Sequence, residues 1–192
     1  MKKFMKKIAL LASIFIVFSC SKSTETELKP VSIVEIAKAT SDYTNFVKAL
    51  DLTGLTSTFD SAGDYTVFIP NDAAFDAVLQ GTTIEDFNTA NPGVLAKILK
   101  YHVLSSRVYS SSLTNNQVVT TLLGQTFTIS IVNPDPNPDP NYSYLNSNAV
   151  SLVFPDPSTP GSNLSAKIIA RDVKCTNGVI HPVDAVLIPN LN

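Results

Sequence analysis

The side chains with the most reactive chemistry in this sequence are two histidines and two cysteines. His102 and His181 are the only histidines in 192 residues, and they are far apart in the chain. An imidazole can serve as a general base, but no serine in this sequence lies in a strained strand-to-helix turn that would expose it as a partner nucleophile. His102 lies on the apolar face of a predicted helix, where an unpartnered imidazole would cost about 1–3 kcal/mol. We therefore interpret both histidines as structural; a Ser-His-Asp triad assembled in space is the alternative.

The sequence motifs of common enzyme classes are absent. There is no glycine-rich phosphate loop, no nucleophile elbow and no His-Glu-x-x-His zinc motif. Asp135, Asp139 and Asp156 lie among prolines and asparagines, but their spacing does not fit a calcium loop, which favours a solvated loop. We predict no catalytic residues, no metal and no cofactor.

The two cysteines are predicted to have separate roles. Cys175 shares a strand face with Val173, which favours a small buried hydrophobe over a redox thiol. Cys20 follows Ser19 at the end of a short apolar segment, which is the arrangement of a bacterial lipoprotein processing site. An acylated Cys20, carrying palmitate-like chains, would leave no partner for a disulfide with Cys175.

The first 30 residues indicate targeting rather than folded structure. Residues 1–19 are predicted to be a lipoprotein signal peptide, with four lysines before an apolar run too short to span a membrane. An ordinary secretory signal is the alternative. Residues 20–30 are polar and predict a flexible tether after the lipidated Cys20. The predicted location is the cell envelope, as an outer-membrane lipoprotein facing the periplasm or the cell surface.

Charge argues against nucleic acid as a partner. The chain has 14 basic and 16 acidic residues, and removing the four signal-peptide lysines gives 10 − 16 = −6. No basic patch remains to bind a phosphate backbone.

Residues 31–190 are predicted to be one domain whose first half is helical. A capping box at Ser32 and Glu35 starts the first helix, and Ser41 or Asp42 is expected to cap the second, which ends at Gly54. Residues 65–69 predict a strand buried on both faces, ended by Pro70 and followed by a helix that Asn71 caps. A short turn at 83–87 and a helix starting at Asn91-Pro92 follow.

The second half predicts strands. The expected strands are 103–104, 118–121, 125–132, 167–175, 179–183 and 185–188. Asn177-Gly178 is expected to be a two-residue hairpin turn with positive φ at both positions. Prolines and aspartates predict an enlarged surface loop at about 133–163, with a short strand within it near 147–154. Helices followed by strands predict an α+β domain.

Three segments resemble the fasciclin domain family. TVFIPNDAAF at 66–75 is similar to its first signature segment, LAKILKYHVL at 95–104 to its central Tyr-His segment, and ARDVKCTNGVIHPVDAVLIP at 170–189 to its second signature segment. The three occur in the family's order, and the resemblance covers roughly residues 31–190. It implies a wedge-shaped β-sandwich with helices packed along one side.

The resemblance also implies which positions matter. Tyr101 and His102 would support the two signature segments, with Asp72 or Asp76 as the partner of His102. Family recognition surfaces are attributed to segments corresponding to 66–75 and 177–189. The structural and signature positions are Thr66, Phe68, Pro70, Asn71, Asp72, Phe75, Tyr101, His102, Asn177, Gly178 and His181.

The predicted function is a non-enzymatic, membrane-anchored adhesion module that binds surface proteins or glycans, as the family association implies. The alternative is a lipoprotein that binds a small ligand or polysaccharide beside an outer-membrane uptake system. For that alternative, Tyr142, Tyr144 and Phe154 are the candidate residues for stacking on sugar rings, although the chain has no tryptophan.

Overall fold

The computed structural model describes residues 31–132 and 149–191. Six α-helices occupy the first half of this range: α1 (Ile33–Ala39), α2 (Thr44–Thr53), α3 (Thr56–Asp60), α4 (Asp72–Leu79), α5 (Ile84–Ala90) and α6 (Val94–Tyr101). Eight strands are described: β1 (Tyr65–Pro70), β2 (Val103–Leu104), β3 (Val118–Thr120), β4 (Thr126–Val132), β5 (Ala149–Pro155), β6 (Asn163–Lys167), β7 (Val173–Cys175) and β8 (Gly178–Val183). This confirms the predicted α+β class.

The strands form two sheets that meet at two points. The first sheet has the order β2-β1-β8-β7, in which β1 and β8 are parallel, and the second is antiparallel with the order β3-β4-β5-β6. Leu122 N–H donates to the Val103 carbonyl, and Ile168 bridges to Val183. The first sheet is thereby joined to the segments that follow β3 and β6, the two edge strands of the second sheet.

Strand β1 separates two hydrophobic cores. Val67 and Ile69 pack into a core shared with the helices, whereas Phe68 points into a second core between the sheets. This arrangement confirms the prediction of a strand buried on both faces, and it explains why residues 66–69 include no charged side chain.

Several local signals are confirmed. Ser32 and Glu35 form the capping box of α1, and Asn71 accepts the Ala74 N–H as the cap of α4. Gly54 ends α2 with φ +68°, a conformation that favours glycine.

Two predicted helix starts are wrong. Asn91 ends α5 instead of starting α6, because its side-chain amide donates to the Phe87 carbonyl; α6 starts after Gly93. Ser41 and Asp42 lie in a 3₁₀ turn (Ser41–Tyr43) before α2 and do not cap it.

The predicted strand 167–175 is interrupted, and the strand expected at 185–188 does not form. Asp172 adopts φ +58° between β6 and β7, where the chain passes from the second sheet to the first. Residues 185–188 have no strand pairing, although the Leu187 side chain is buried in the core between the sheets.

The short strand predicted near 147–154 is confirmed as β5, but the surface loop expected around it is wrong for this part of the chain. Strand β5 pairs with β4 on one side and β6 on the other, so residues 149–155 form a central strand of the second sheet. Phe154 is 1% exposed there, and it is therefore wrong as a candidate for stacking on a sugar. Tyr142, Tyr144, Asp135 and Asp139 lie outside the described residues, as do Cys20, the signal peptide and the tether.

Candidate functional site

His102 uses both ring nitrogens in hydrogen bonds to the backbone. Nδ1 lies 2.8 Å from the Ile98 carbonyl, and Nε2 accepts the Leu187 N–H at 2.9 Å. Because Nε2 accepts, the proton is on Nδ1 and donates to Ile98. Burial lowers the pKa of His102 to about 4, so the ring is neutral at physiological pH. The expected partners Asp72 and Asp76 are wrong.

His181 is held in a similar way. Its Nε2 lies 2.9 Å from the Val108 carbonyl, and its Nδ1 accepts the Asp172 N–H at 3.2 Å. The ring stacks on Phe68 with centroids 5.6 Å apart, and burial lowers its pKa. His181 therefore ties β8 to the two segments that carry Val108 and Asp172.

Ser110, Asp172 and His181 come together, but their contacts are not those of a catalytic triad. The Ser110 hydroxyl donates to the Asp172 carboxylate, which also accepts the Ser110 N–H at 2.7 Å. A triad instead needs an imidazole nitrogen that accepts the serine proton, and both nitrogens of His181 already bond backbone groups. The cluster fastens a loop and offers no activated nucleophile.

Polar signature residues near β1 hold neighbouring segments in place. The Thr66 hydroxyl donates to the Ser106 carbonyl at 2.6 Å and accepts the Val108 N–H at 2.8 Å. The Asp72 carboxylate accepts the N–H groups of Thr44 and Asn45 at 3.2 and 2.8 Å, so it caps α2 from a different helix. Asp72 thus supplies the cap that sequence analysis sought at 41–42.

The apolar signature residues lie in or beside the two cores. Pro70 is the last residue of β1 and pairs with Val183, and Phe75 is buried against the helical core. Tyr101 is 1% exposed, its hydroxyl donates to the Thr126 carbonyl at 2.9 Å, and burial raises its pKa to about 12. Its ring meets Phe127 and Phe154 edge-to-face.

Asn177 and Gly178 differ from the predicted turn. Cys175 pairs with Gly178, so the two-residue turn is Thr176-Asn177, and neither Asn177 nor Gly178 has positive φ. Asn177 is 3% exposed; its amide donates to the carbonyls of Phe59 and Ser61 and accepts the Ile33 N–H. Gly178 is needed for close approach, because a Cβ there would lie 2.3 Å from the backbone oxygen of β1.

Cys175 is a buried free thiol, and burial raises its pKa to about 11. A thiol with this pKa is almost fully protonated near neutral pH and is a poor nucleophile. The adjacent Arg107 guanidinium donates to the carbonyls of Cys175 and Thr176 and to the Asp64 carboxylate. Arg107 therefore holds residues 175–176 in place through these hydrogen bonds and its ion pair with Asp64, and this segment contains no reactive thiol.

Within 31–132 and 149–191, no group of three His, Cys, Asp or Glu side chains is placed to hold a metal ion.

The signature residues are thus mostly internal, and an open cleft of about 400 Å³ is a separate candidate for binding. It lies between the C-terminal segment (residues 188–190), the start of β4 and the end of β5. Its lining residues are Tyr101, Gly124, Gln125, Thr126, Pro155, Ile188 and Asn190. No motif marks these positions, and sequence analysis missed them.

The cleft wall is fixed by hydrogen bonds between the Gln125 side chain and the Asn190 backbone. Gln125 donates from its amide to the Asn190 carbonyl at 2.6 Å and accepts the Asn190 N–H at 2.9 Å. None of the lining residues is charged. The cleft therefore suits an uncharged ligand with hydroxyl or amide groups.

The comparisons with known proteins agree on one domain family. The model of the Fasciclin domain matches residues 41–189. Protein sll1483 of Synechocystis sp. is 27% identical over 83% of this chain and 74% of its own length, and the uncharacterized protein sll1735 of the same organism is 27% identical over 82% and 97%.

Animal proteins match over part of their length. The transforming growth factor-beta-induced protein ig-h3 of Sus scrofa is 27% identical over 84% of this chain and 20% of its own length. A solved pair of FAS1 domains from the insect cell adhesion molecule Fasciclin I aligns with a TM-score of 0.51 and 16% identity, over 76% of this chain and 46% of that chain. The chain thus spans only a fraction of these larger proteins.

Proposed function

This chain belongs to the fasciclin domain family, and from that premise we propose that it is a non-enzymatic, membrane-anchored extracytoplasmic module that binds proteins or glycans at the cell surface. Fasciclin domains occur in cell-adhesion proteins, of which the insect Fasciclin I pair is one solved example. What the larger relatives bind as whole proteins does not transfer directly, since this chain spans 20% of ig-h3.

The observation that carries this proposal is the use of the reactive side chains inside the fold. Each histidine has both nitrogens bonded to backbone, and the described thiol is buried with a raised pKa. Because these histidines and this thiol are occupied in stabilising the fold, the domain would act on other molecules through contacts at its surface. Binding is therefore favoured over catalysis.

Anchoring through Cys20 is the second part of the proposal. No helix among residues 31–132 and 149–191 is long and apolar enough to cross a bilayer. The Val31 carbonyl accepts the Thr176 N–H at 2.9 Å, so the first described residue lies beside the β7–β8 turn. Acyl chains on Cys20 would give a stable anchor, at about 0.8 kcal/mol per buried CH₂.

Mass spectrometry of the chain from a membrane fraction tests the anchor. We expect a mature N-terminus at Cys20 with an acyl mass attached. Another N-terminus, or an unmodified Cys20, contradicts the anchoring half of the proposal and leaves the binding half to be tested separately.

Binding itself is tested with beads coated with the chain and exposed to cells of the encoding strain and to their extracellular matrix. We expect retention above that of beads carrying an unrelated acidic domain. Equal retention of both bead types would contradict the module's proposed role.

A further inference from the structure

Charged side chains are distributed unevenly along this chain. Residues 31–107 contain fourteen of them, whereas residues 108–166 contain only Asp135, Asp139 and Asp156. The charge-poor part is rich in serine, threonine, asparagine and glutamine. It includes β3, β4, β5 and nearly all of β6, the four strands of the second sheet.

The strand pairing places uncharged side chains on one face of the second sheet, which we call the outer face. Val118, Thr128, Val153 and Ser165 are aligned across all four strands, and alternate residues point into the core instead. Val118 is 63% exposed. The aligned positions of the outer face are Val118, Thr120, Thr126, Thr128, Ser130, Val132, Ala149, Ser151, Val153, Pro155, Asn163, Ser165 and Lys167. Lys167, at the edge, is the one charged side chain among them.

The outer face is continuous with the cleft. Thr126 and Pro155 belong to both, and the Gln125–Asn190 hydrogen bonds fix the opposite wall. The cleft therefore offers neutral donors and acceptors together with the apolar surfaces of Pro155 and Ile188.

We propose that the outer face and the cleft together bind a neutral oligosaccharide, with one sugar unit in the cleft and the chain extending over the sheet. This inference rests on the proposed surface-binding function and names its ligand class. Hydroxyl and amide side chains can exchange hydrogen bonds with sugar hydroxyls without desolvating a charge. The ring's C–H surface would contact Pro155 and Ile188.

Charge and area favour this ligand over the alternatives. Lys167 is the one basic side chain among the aligned positions of the outer face, and the lining of the cleft has none, so the site offers no cluster of cations for an anionic polysaccharide. Four strands about 4.8 Å apart and about five residues long give a face of roughly 300 Å². A stable protein interface takes about 800 Å² from each partner, so the outer face suits a narrow chain better than a folded protein.

The test measures retention of the full chain on an array of neutral gluco-, manno-, galacto- and xylo-oligosaccharides, with polygalacturonate and heparin as anionic comparisons. Two substitutions, Thr126→Glu with Thr128→Glu, place charge on the outer face. We expect retention on a neutral oligosaccharide that changes little with salt and falls at least tenfold in this double variant. Ser57→Glu with Thr58→Glu adds the same two charges on α3, where both side chains are exposed, and should retain wild-type binding.

If the double variant melts at a lower temperature than wild type, Val118→Glu replaces it, because that side chain is the more exposed. Neutral-glycan binding that survives charge on the outer face would overturn the assigned site. Binding only to anionic glycans or to proteins would overturn the ligand class while leaving the surface-binding function intact. Absence of binding on the array, together with absence of bead retention, would contradict both.

Discussion

Acidification should destabilise the domain through His102, because this imidazole is neutral when folded. A proton on Nε2 would remove the acceptor for the Leu187 N–H. Burial lowers the pKa of His102 to about 4, against 6.5 for an exposed histidine. Between these values the unfolded chain binds more protons than the folded one, so the free energy of unfolding rises with pH and is lost as pH falls from 6.5 towards 4. The loss is about 2 kcal/mol at about pH 5 and about 3 kcal/mol below pH 4.

Urea unfolding of wild type and His102→Gln at about pH 7.5 and about pH 5 measures this contribution. The variant should be less stable at neutral pH, since it loses two buried hydrogen bonds. Its stability should also fall less on acidification, by about 2 kcal/mol, because the other titrating groups are common to both proteins. Equal losses in the two proteins would refute the assignment of a neutral, buried His102.

Two further substitutions are predicted from the structure, and one replacement is predicted from the sequence. Asn177→Ala should lower the free energy of unfolding by about 3 kcal/mol in urea denaturation, because two buried backbone groups and one partly buried carbonyl lose their partner. Asn163→Ala, at an exposed position, should change it by less than about 0.5 kcal/mol. Gly178→Ala should lower the free energy of unfolding by more than about 2 kcal/mol or prevent folding, because the new Cβ would meet the backbone of β1. Gly54→Ala, with open space around it, should lower the free energy of unfolding by about 1 kcal/mol. Equal losses in the two variants would contradict the close approach of β8 to β1. Replacing residues 134–141 with a short Gly-Ser link should leave the melting temperature within a few degrees, since a change in loop length costs about 0.6 kcal/mol per doubling, and should abolish capture of the surface partner. Unfolding of that variant would place the segment in the core, and unchanged capture would contradict its role in recognition.

Local signals in the sequence predicted local structure well. Ser32 with Glu35 and Asn71 with Ala74 act within three residues, so their capping bonds follow from spacing alone. The strand at 65–69 was identifiable because burial on both faces removes charge from the whole run.

Features that depend on distant contacts were not predictable from spacing. Asp72 caps α2 from 27 and 28 positions away, and His102 bonds Leu187 across 85 positions. Gly178 matched a turn motif by residue type, but its real constraint is the backbone of β1. Phe154 falls in the short strand predicted near 147–154, but its neighbouring prolines gave no sign that pairing with β4 and β6 buries it in the core.

The candidate cleft escaped sequence analysis for the same reason. Its lining comes from the end of α6, the turn before β4, the end of β5 and the C-terminal segment. None of these residues is charged or part of a motif, so only the low charge of residues 108–166 could have pointed to this surface.

The central claim is that this chain acts by binding from an anchored position on the cell surface. Adhesion of the encoding cells to their own matrix, compared before and after deletion of the gene, tests it most directly. We expect deletion to reduce adhesion, wild-type chain to restore it, and Cys20→Ala to fail although the domain is exported and folded. Adhesion that is unchanged by deletion, or fully restored by Cys20→Ala, would contradict the account.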